Sequence, residues 1–354
     1  MFSLLDILPL ALLVVAVIGM KFAKPITNGI HEDFLSVESG KSIRGLLALI
    51  IVLHHLANRF SASESGIVFN LFNHVGFLAV SIFFFISGYG LQKQHIEKEN
   101  YSKGFLLKRL PTVLIPYIVV NLIYWAMSFL YKKPLGILNI LTGLVDGSPV
   151  VAHSWYIISI IVFYIAFALL MAICKKRHGL MLILASAFYV VYAFVCIMLD
   201  YGAWWYNTAF VLIFGMVWAV YEKQIMSFLK KRYWIVGVIW SVAFAVMFVV
   251  ASLLPPLEFP INSILASAFF SVLALLVFAK IKFENPILKF FGKISLELYL
   301  CHEILIVLFR SNVCFIENNL IYSLLSITCA LICAWLLNIA NSKLLAIYKK
   351  AFLK

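Results

Sequence analysis

The feature that most constrains this chain is a succession of apolar runs, each close to 20 residues long. A run of that length spans the hydrocarbon core of a bilayer as an α-helix. Charged residues form only 12% of the 354-residue chain, whereas soluble domains carry about 25%. The composition therefore predicts an all-α, polytopic membrane helix bundle of eleven transmembrane helices. The expected spans lie near 3–21, 43–58, 68–91, 109–130, 154–174, 180–199, 204–221, 233–254, 262–280, 290–309 and 320–341.

The distribution of basic residues tests this count. With eleven alternating spans, 24 of the 28 Lys and Arg residues fall on one side, and the other side holds Arg59, Lys132, Lys133 and Arg310. Short cytoplasmic loops carry an excess of Lys and Arg, so the sequence predicts a multi-pass protein of the cell membrane with an outside N-terminus and a cytoplasmic C-terminus. Topology also accounts for the net charge of +13. The expected partner is therefore the lipid bilayer, and no nucleic acid is predicted.

The chain divides into three predicted parts. Residues 1–42 form an N-terminal transmembrane helix with a polar cytoplasmic linker, 43–345 form the membrane core, and 346–354 form a basic cytoplasmic tail. The first run lacks a basic n-region and a cleavage site, so we expect a retained helix rather than a signal peptide. The six cysteines show no metal-ligand spacing and are interpreted as small core hydrophobes. No metal site is predicted.

The second run carries ionisable side chains, which are costly inside a membrane and by default mark a functional pathway. Arg44 and His55 are eleven residues apart. At about 100° per residue they share one helix face, about 16 Å apart along the axis. His54 points about 80° away from that face. The predicted topology places Arg44 near the cytoplasmic surface and His55 towards the outer half of the membrane.

Polar groups in the third and fourth runs have two interpretations each. Ser87 and Gly88 either form a packing notch between helices or present a hydroxyl to a buried substrate. Lys108 and Arg109 either belong to the cytoplasmic charge pattern or bind phosphate beside Arg44. The chain contains no G-x-S-x-G motif, so we do not predict a hydrolase serine.

The fifth and tenth runs carry the remaining candidates. His153 and Trp155 open the fifth run, where aromatic residues typically form an interfacial belt and where a histidine is also suited to line a substrate entrance. Ser295, Tyr299 and His302 are spaced four and three residues apart, so they share a helix face. Five polar groups within nine residues of a membrane helix are not expected to face lipid. They form either a structural polar cluster or part of a site.

These motifs together resemble a known family. They are Arg44-x10-His55, Phe83-Phe84-x-x-Ser87-Gly88-Tyr89, Lys108-Arg109 with Pro116-Tyr117, His153-x-Trp155-Tyr156 and Ser295-x3-Tyr299-x2-His302. In this order they are similar to the core helices of the acyltransferase 3 family of membrane O-acyltransferases. The chain departs from the family pattern at Lys41 and Ser81, where the family often has acidic residues, and it has one extra helix before the ten-helix core.

The resemblance implies transfer of an acyl group, with acetyl expected, from cytoplasmic acyl-CoA to a hydroxyl of a cell-envelope glycan. Acyl-CoA is then a co-substrate, and no bound cofactor is expected. The expected catalytic residues are His55, Arg44, Tyr299 and His302. The expected substrate-binding residues are His54, Ser87, Lys108, Arg109, His153, Trp155 and Ser295.

The chemistry of these residue types is compatible with acyl transfer. Guanidinium and ammonium groups bind phosphate, and histidine is suited to accept the proton of a hydroxyl near neutral pH. His55 is the candidate base or a transient acyl carrier. Tyr299, His302 or Ser87 is suited to stabilise an oxyanion. The alternatives are a transporter or flippase of a lipid-linked glycan, in which buried Arg and His form a substrate path, and a sensor domain without catalysis.

Overall fold

The computed structural model describes residues 2–23, 29–253 and 261–353. In these ranges the chain forms fifteen α-helices and two short strands, numbered in chain order. The helices are α1 Ile7–Val17, α2 Val37–Ala57, α3 Ala62–Ser65, α4 Ile67–Asn70, α5 Gly76–Glu97, α6 Phe105–Arg109, α7 Pro111–Leu130, α8 Ile137–Val145, α9 Trp155–Cys174, α10 His178–Met198, α11 Val211–Leu253, α12 Ile261–Lys280, α13 Pro286–Lys293, α14 Ser295–Leu308 and α15 Asn319–Phe352. The strands are β1 Met20–Phe22 and β2 Ile281–Phe283.

The predicted all-α membrane bundle is confirmed. Eight helices of the described chain are long and apolar enough to cross a membrane, namely α2, α5, α7, α9, α10, α11, α12 and α15. The seventh and eighth predicted spans fall largely within α11, which is kinked where its backbone leaves helical geometry at Tyr221 and Arg232. These two positions bracket the basic stretch between the predicted spans, so the helix bends where its charges lie.

Two predicted spans are shorter than expected. The apolar helical segment at the N-terminus covers only Leu4–Val17, because the chain turns at Gly19 with a φ of 75° and then enters β1. The tenth span is divided into α13 and α14, because Ile294 between them has a φ of −101° and a ψ of 10°. The polar residues predicted on the tenth span therefore lie on the 14-residue helix α14.

The N-terminal segment is attached to the core by a two-stranded antiparallel sheet. β1 pairs with β2 so that Met20 lies opposite Phe283. The side-chain amide of Asn285 donates to the carbonyl oxygens of Val15 and Ile18, at 2.6 and 3.0 Å. Nearby, a hydrogen bond from the Lys282 ammonium lowers the pKa of Asp33. The described residues before α2 thus pack on the bundle, beside the connection that leads to α13 and α14.

Close helix packing fixes the centre of the bundle. α5 and α11 approach so closely that a Cβ atom on Gly88 would overlap the carbonyl oxygen of Leu212. The packing interpretation of Gly88 therefore holds, since small residues let backbones of membrane helices meet. α2 lies against α5, α13 and α14. It is the element on which the candidate site is built.

Candidate functional site

Histidines from three parts of the chain meet at the C-terminal end of α2. His55 lies in the last turn of α2, His302 lies on α14, and His153 precedes α9. The ring of His55 stacks on that of His153 with centroids 3.7 Å apart, and on that of His302 with centroids 5.0 Å apart. Burial lowers the pKa of His153 to about 3, so this imidazole is neutral. The three rings form a cluster that we call the histidine cluster.

The hydrogen bonds of these rings decide where their protons lie. The Nδ1 atom of His302 lies 3.0 Å from the carbonyl oxygen of Leu298, which can only accept. Neutral His302 therefore carries its proton on Nδ1 and a lone pair on Nε2. That Nε2 atom is buried and has no hydrogen-bond partner in the described chain. His302 thus presents an unused proton acceptor beside His55.

The neighbouring His54 differs because both of its ring nitrogens are engaged. Its Nδ1 donates to the carbonyl oxygen of Phe72 at 2.7 Å, and its Nε2 accepts from the side-chain amide of Asn58 at 3.3 Å. His54 therefore holds the segment before α5 against α2, and it has no free nitrogen for chemistry. This agrees with the helical wheel, which separates His54 from the face of Arg44 and His55.

A cavity of about 510 Å³ opens onto the histidine cluster. Its lining combines imidazoles with aromatic and amide groups, contributed by His54, His55, Asn58, His153, Trp155 and Trp204. We call it the histidine cavity. Indole faces, amides and imidazoles suit an acceptor that has both apolar faces and hydroxyl groups.

A second cavity, of about 660 Å³, lies along the same helix towards the N-terminal end of α2. Its polar lining includes Arg44, Lys93 and Arg109, together with the hydroxyls of Ser87 and Ser295. Apolar side chains such as Ile43 complete the wall. We call it the arginine cavity. Guanidinium groups beside an apolar wall suit a ligand that is anionic at one end and apolar at the other.

The two cavities meet inside the bundle. Ile51, Val80 and Tyr299 line both of them. The hydroxyl of Tyr299 donates to the backbone carbonyl of His153, and its ring lies 5.6 Å from that of Tyr156, in an edge-on arrangement. Tyr299 therefore stands at the junction between the cationic and the imidazole-lined spaces.

Comparison with protein-family models shows the family to which the chain belongs. The model described as an acyltransferase domain matches residues 41–339, which is most of the sequence. The chain belongs to the acyltransferase 3 family. No curated protein and no solved structure matches it. The predicted family is thereby confirmed, and the chain is a membrane acyltransferase by family.

The predicted site residues fall into two groups, those that the structure brings to a cavity or to the histidine cluster and those that it does not. Most of them line one of the two cavities or join the histidine cluster. Lys108 does not, because it is exposed and its ammonium lies 3.3 Å from the carbonyl oxygen of Lys103. The hydroxyls of Ser87 and Ser295 reach the arginine cavity, but each donates to a carbonyl, that of Phe83 or that of Gly292, at 2.8 and 3.0 Å.

One ion pair beside the histidine cluster was not predicted from the sequence. Arg59 pairs with Glu303, whose side chain is only 5% exposed. The second carboxylate oxygen of Glu303 lies 3.8 Å from Nε2 of His153. A local signal exists, because Arg59 follows His55 by one helical turn and Glu303 directly follows His302. The pairing itself joins residues 244 positions apart, so only the folded bundle reveals it.

Proposed function

We propose that this acyltransferase moves an acyl group, expected to be acetyl, from cytoplasmic acyl-CoA to a hydroxyl of a cell-envelope glycan. The observation that carries this function is the meeting of the arginine and histidine cavities at Tyr299. A transfer between two substrates needs two binding spaces of different chemistry and one point where their reacting groups can touch.

The arginine cavity suits the donor. Acyl-CoA is a polyanion with an apolar acyl end, and Arg44 and Arg109 supply forked donors for its phosphates. Lys93 is already paired with Glu222 at 2.5 Å and with Glu97 at 3.2 Å. Arg109 already donates to a tyrosine hydroxyl at 3.1 Å, and Arg44 has no acidic partner among the described residues. Its guanidinium is therefore the cation with most to gain from an incoming phosphate.

The histidine cavity suits the acceptor and the proton transfer. As the acceptor hydroxyl attacks the thioester carbonyl carbon, His55 accepts the hydroxyl proton and the new C–O bond forms. The C–S bond then breaks, and the departing CoA thiolate takes the proton from His55. His302 and Glu303 lie within 4.8 Å of His55, counted between one ring nitrogen or carboxylate oxygen of each. They orient the base and stabilise its charged form.

Tyr299 is the best placed group for the oxyanion. In neutral His302 the free nitrogen holds a lone pair rather than a proton, and the Ser87 hydroxyl already donates to its own helix. Tyr299 lines both cavities and donates only to a backbone carbonyl, from which it can turn towards the thioester oxygen.

The test is an assay of the purified full-length chain in lipid nanodiscs with radiolabelled acetyl-CoA, combined with mass spectrometry of surface glycans from cells with and without the protein. We expect release of free CoA and one or more acetylated glycans that depend on the protein. A transporter of a lipid-linked glycan would leave acetyl-CoA unconsumed, and that result would contradict the proposed function.

A further inference from the structure

Two buried acceptors at the histidine cluster, one on His302 and one on the adjacent Glu303, lack donors. Nε2 of His302 and Oε2 of Glu303 are both inaccessible to solvent and without a hydrogen-bond partner among the described residues. Oε1 of Glu303 is already held by Arg59. Buried acceptors without a donor are costly. A cation placed among them would satisfy both.

The donor set is that of a transition-metal site. One ring nitrogen each of His55 and His302 and one carboxylate oxygen of Glu303 lie within 4.8 Å of one another. Two imidazoles and one carboxylate form the protein ligands of open zinc sites, with bonds of about 2.0–2.2 Å. Ligand atoms around such an ion are about 3.5 Å apart, so the three side chains need to close by about 1 Å.

The surroundings of these ligands also match a metal site. A metal-bound histidine usually donates its other ring N–H to a carbonyl or carboxylate, which is what Nδ1 of His302 does towards Leu298. The Arg59 ion pair fixes the orientation of the Glu303 carboxylate in the same way. His55 lines the histidine cavity, so an ion can reach the site from there, and the ring of His153 stacks on that of His55 beside it.

We propose that His55, His302 and Glu303 form a binding site for Zn²⁺, and that the bound ion inhibits acyl transfer. Binding itself is independent of the proposed function, whereas inhibition rests on it. The ion occupies the lone pair with which His55 accepts the proton of the acceptor hydroxyl. Inhibition is therefore reversible, and a chelator restores transfer.

The experiment uses the full-length chain in nanodiscs, freed of metal by chelation and dialysed against ZnCl₂. We expect one Zn²⁺ per chain by mass spectrometry of the metal. Glu303→Gln and His55→Ala should each weaken binding by about tenfold or more, because each removes one of three ligands. His178→Ala is the matched control: its ring lies 5.7 Å from that of His95, in a second histidine pair that keeps all three ligands intact. It should bind Zn²⁺ like the unmodified chain.

Each outcome is decisive for one claim. Absence of bound Zn²⁺, or binding that neither substitution weakens, would overturn the site. Should Glu303→Gln fail to fold by size-exclusion chromatography, the visible spectrum of the Co²⁺-loaded chain and of its His55→Ala variant decides the same question. Zinc that binds without lowering acetyl transfer would overturn the inhibition. A chain that binds Zn²⁺ but never consumes acetyl-CoA would contradict the proposed function and leave the metal site supported.

Discussion

The arginine and histidine cavities lie along one helix, but the unpaired polar groups at the two cavities need partners of opposite kinds. In the arginine cavity, Arg44 is a permanent cation without an acidic partner among the described residues. Next to His55 of the histidine cavity, the groups left unsatisfied among the described residues include two acceptors, namely Nε2 of His302 and one oxygen of Glu303. The first space needs an anion, and the second needs a proton or a cation. The arginine cavity is thus suited to bind a charged ligand and the histidine cavity to transfer protons, and the two lie at different positions along the axis of α2.

This separation has a consequence for kinetics. Arg44 and His55 are about 16 Å apart, with the shared wall of Ile51, Val80 and Tyr299 between them. Substitutions in the arginine cavity should act mainly on donor binding and raise KM for acyl-CoA. Substitutions in the histidine cavity should act mainly on the chemical step and lower kcat.

The largest expected effect is that of His55→Ala. Loss of the base should lower kcat for acetyl transfer by about 10²- to 10⁴-fold, the usual contribution of a general base. Steady-state CoA release measures it, and size-exclusion chromatography confirms that the variant remains folded. The control is His178→Ala, which lies outside both cavities. Full activity of His55→Ala would show that His55 is not the base and that the histidine cavity does not take part in the chemical step.

Arg44→Ala should have the next largest effect. A hydrogen bond to a charged group contributes about 1.5–3 kcal/mol, which corresponds to a rise of about 10- to 150-fold in KM for acetyl-CoA. Lys108→Ala is the control, because Lys108 is exposed and lines neither cavity. A loss of kcat with unchanged KM would show that Arg44 acts on the chemical step instead, and the proposed division between the cavities would fail.

Tyr299→Phe tests the junction. The substitution keeps the ring that lines both cavities and removes only the hydroxyl that donates to the carbonyl of His153. We expect kcat to fall by about 2- to 12-fold, which corresponds to a net hydrogen bond of about 0.5–1.5 kcal/mol, with KM for acetyl-CoA unchanged. An equal change in both parameters would place Tyr299 in donor binding.

The smallest expected effect is on stability, and it is tested by substituting one glycine from the lining of each cavity. A Cβ atom on Gly76 would overlap the ring of His54, whereas a Cβ atom on Gly90 meets nothing within 4 Å. Gly76→Ala should lower the free energy of unfolding by about 1–3 kcal/mol through overpacking, while Gly90→Ala should not destabilise the protein. Thermal unfolding of the two variants measures the difference. Equal Tm values would contradict the packing of His54 against α5.

Much of this arrangement was predictable from local sequence patterns. Helical periodicity placed Arg44 and His55 on one face, and hydropathy located the long helices. The sequence did not predict the division of the tenth span at Ile294, because hydropathy records how apolar a segment is and not its backbone angles. The sequence also did not predict which side chains from distant helices pair with each other, such as Arg59 with Glu303.

Residue type alone does not separate neighbouring candidates. Lys108 and Arg109 are neighbours in sequence, but successive residues on a helix point about 100° apart, so Arg109 reaches the arginine cavity and Lys108 does not. Ser87 lies in a motif of the family, yet its proton is used by its own helix. Such distinctions depend on hydrogen bonds that only the folded chain defines.

The most direct measurement of the central claim compares binding and turnover of radiolabelled acetyl-CoA in the unmodified chain and in His55→Ala, both in nanodiscs. If the arginine cavity binds the donor and His55 serves the chemistry, the two proteins will bind acetyl-CoA with the same Kd, and only the unmodified chain will release CoA and transfer the label. Transfer by His55→Ala at the unmodified rate, or absence of acetyl-CoA binding by both proteins, would contradict it.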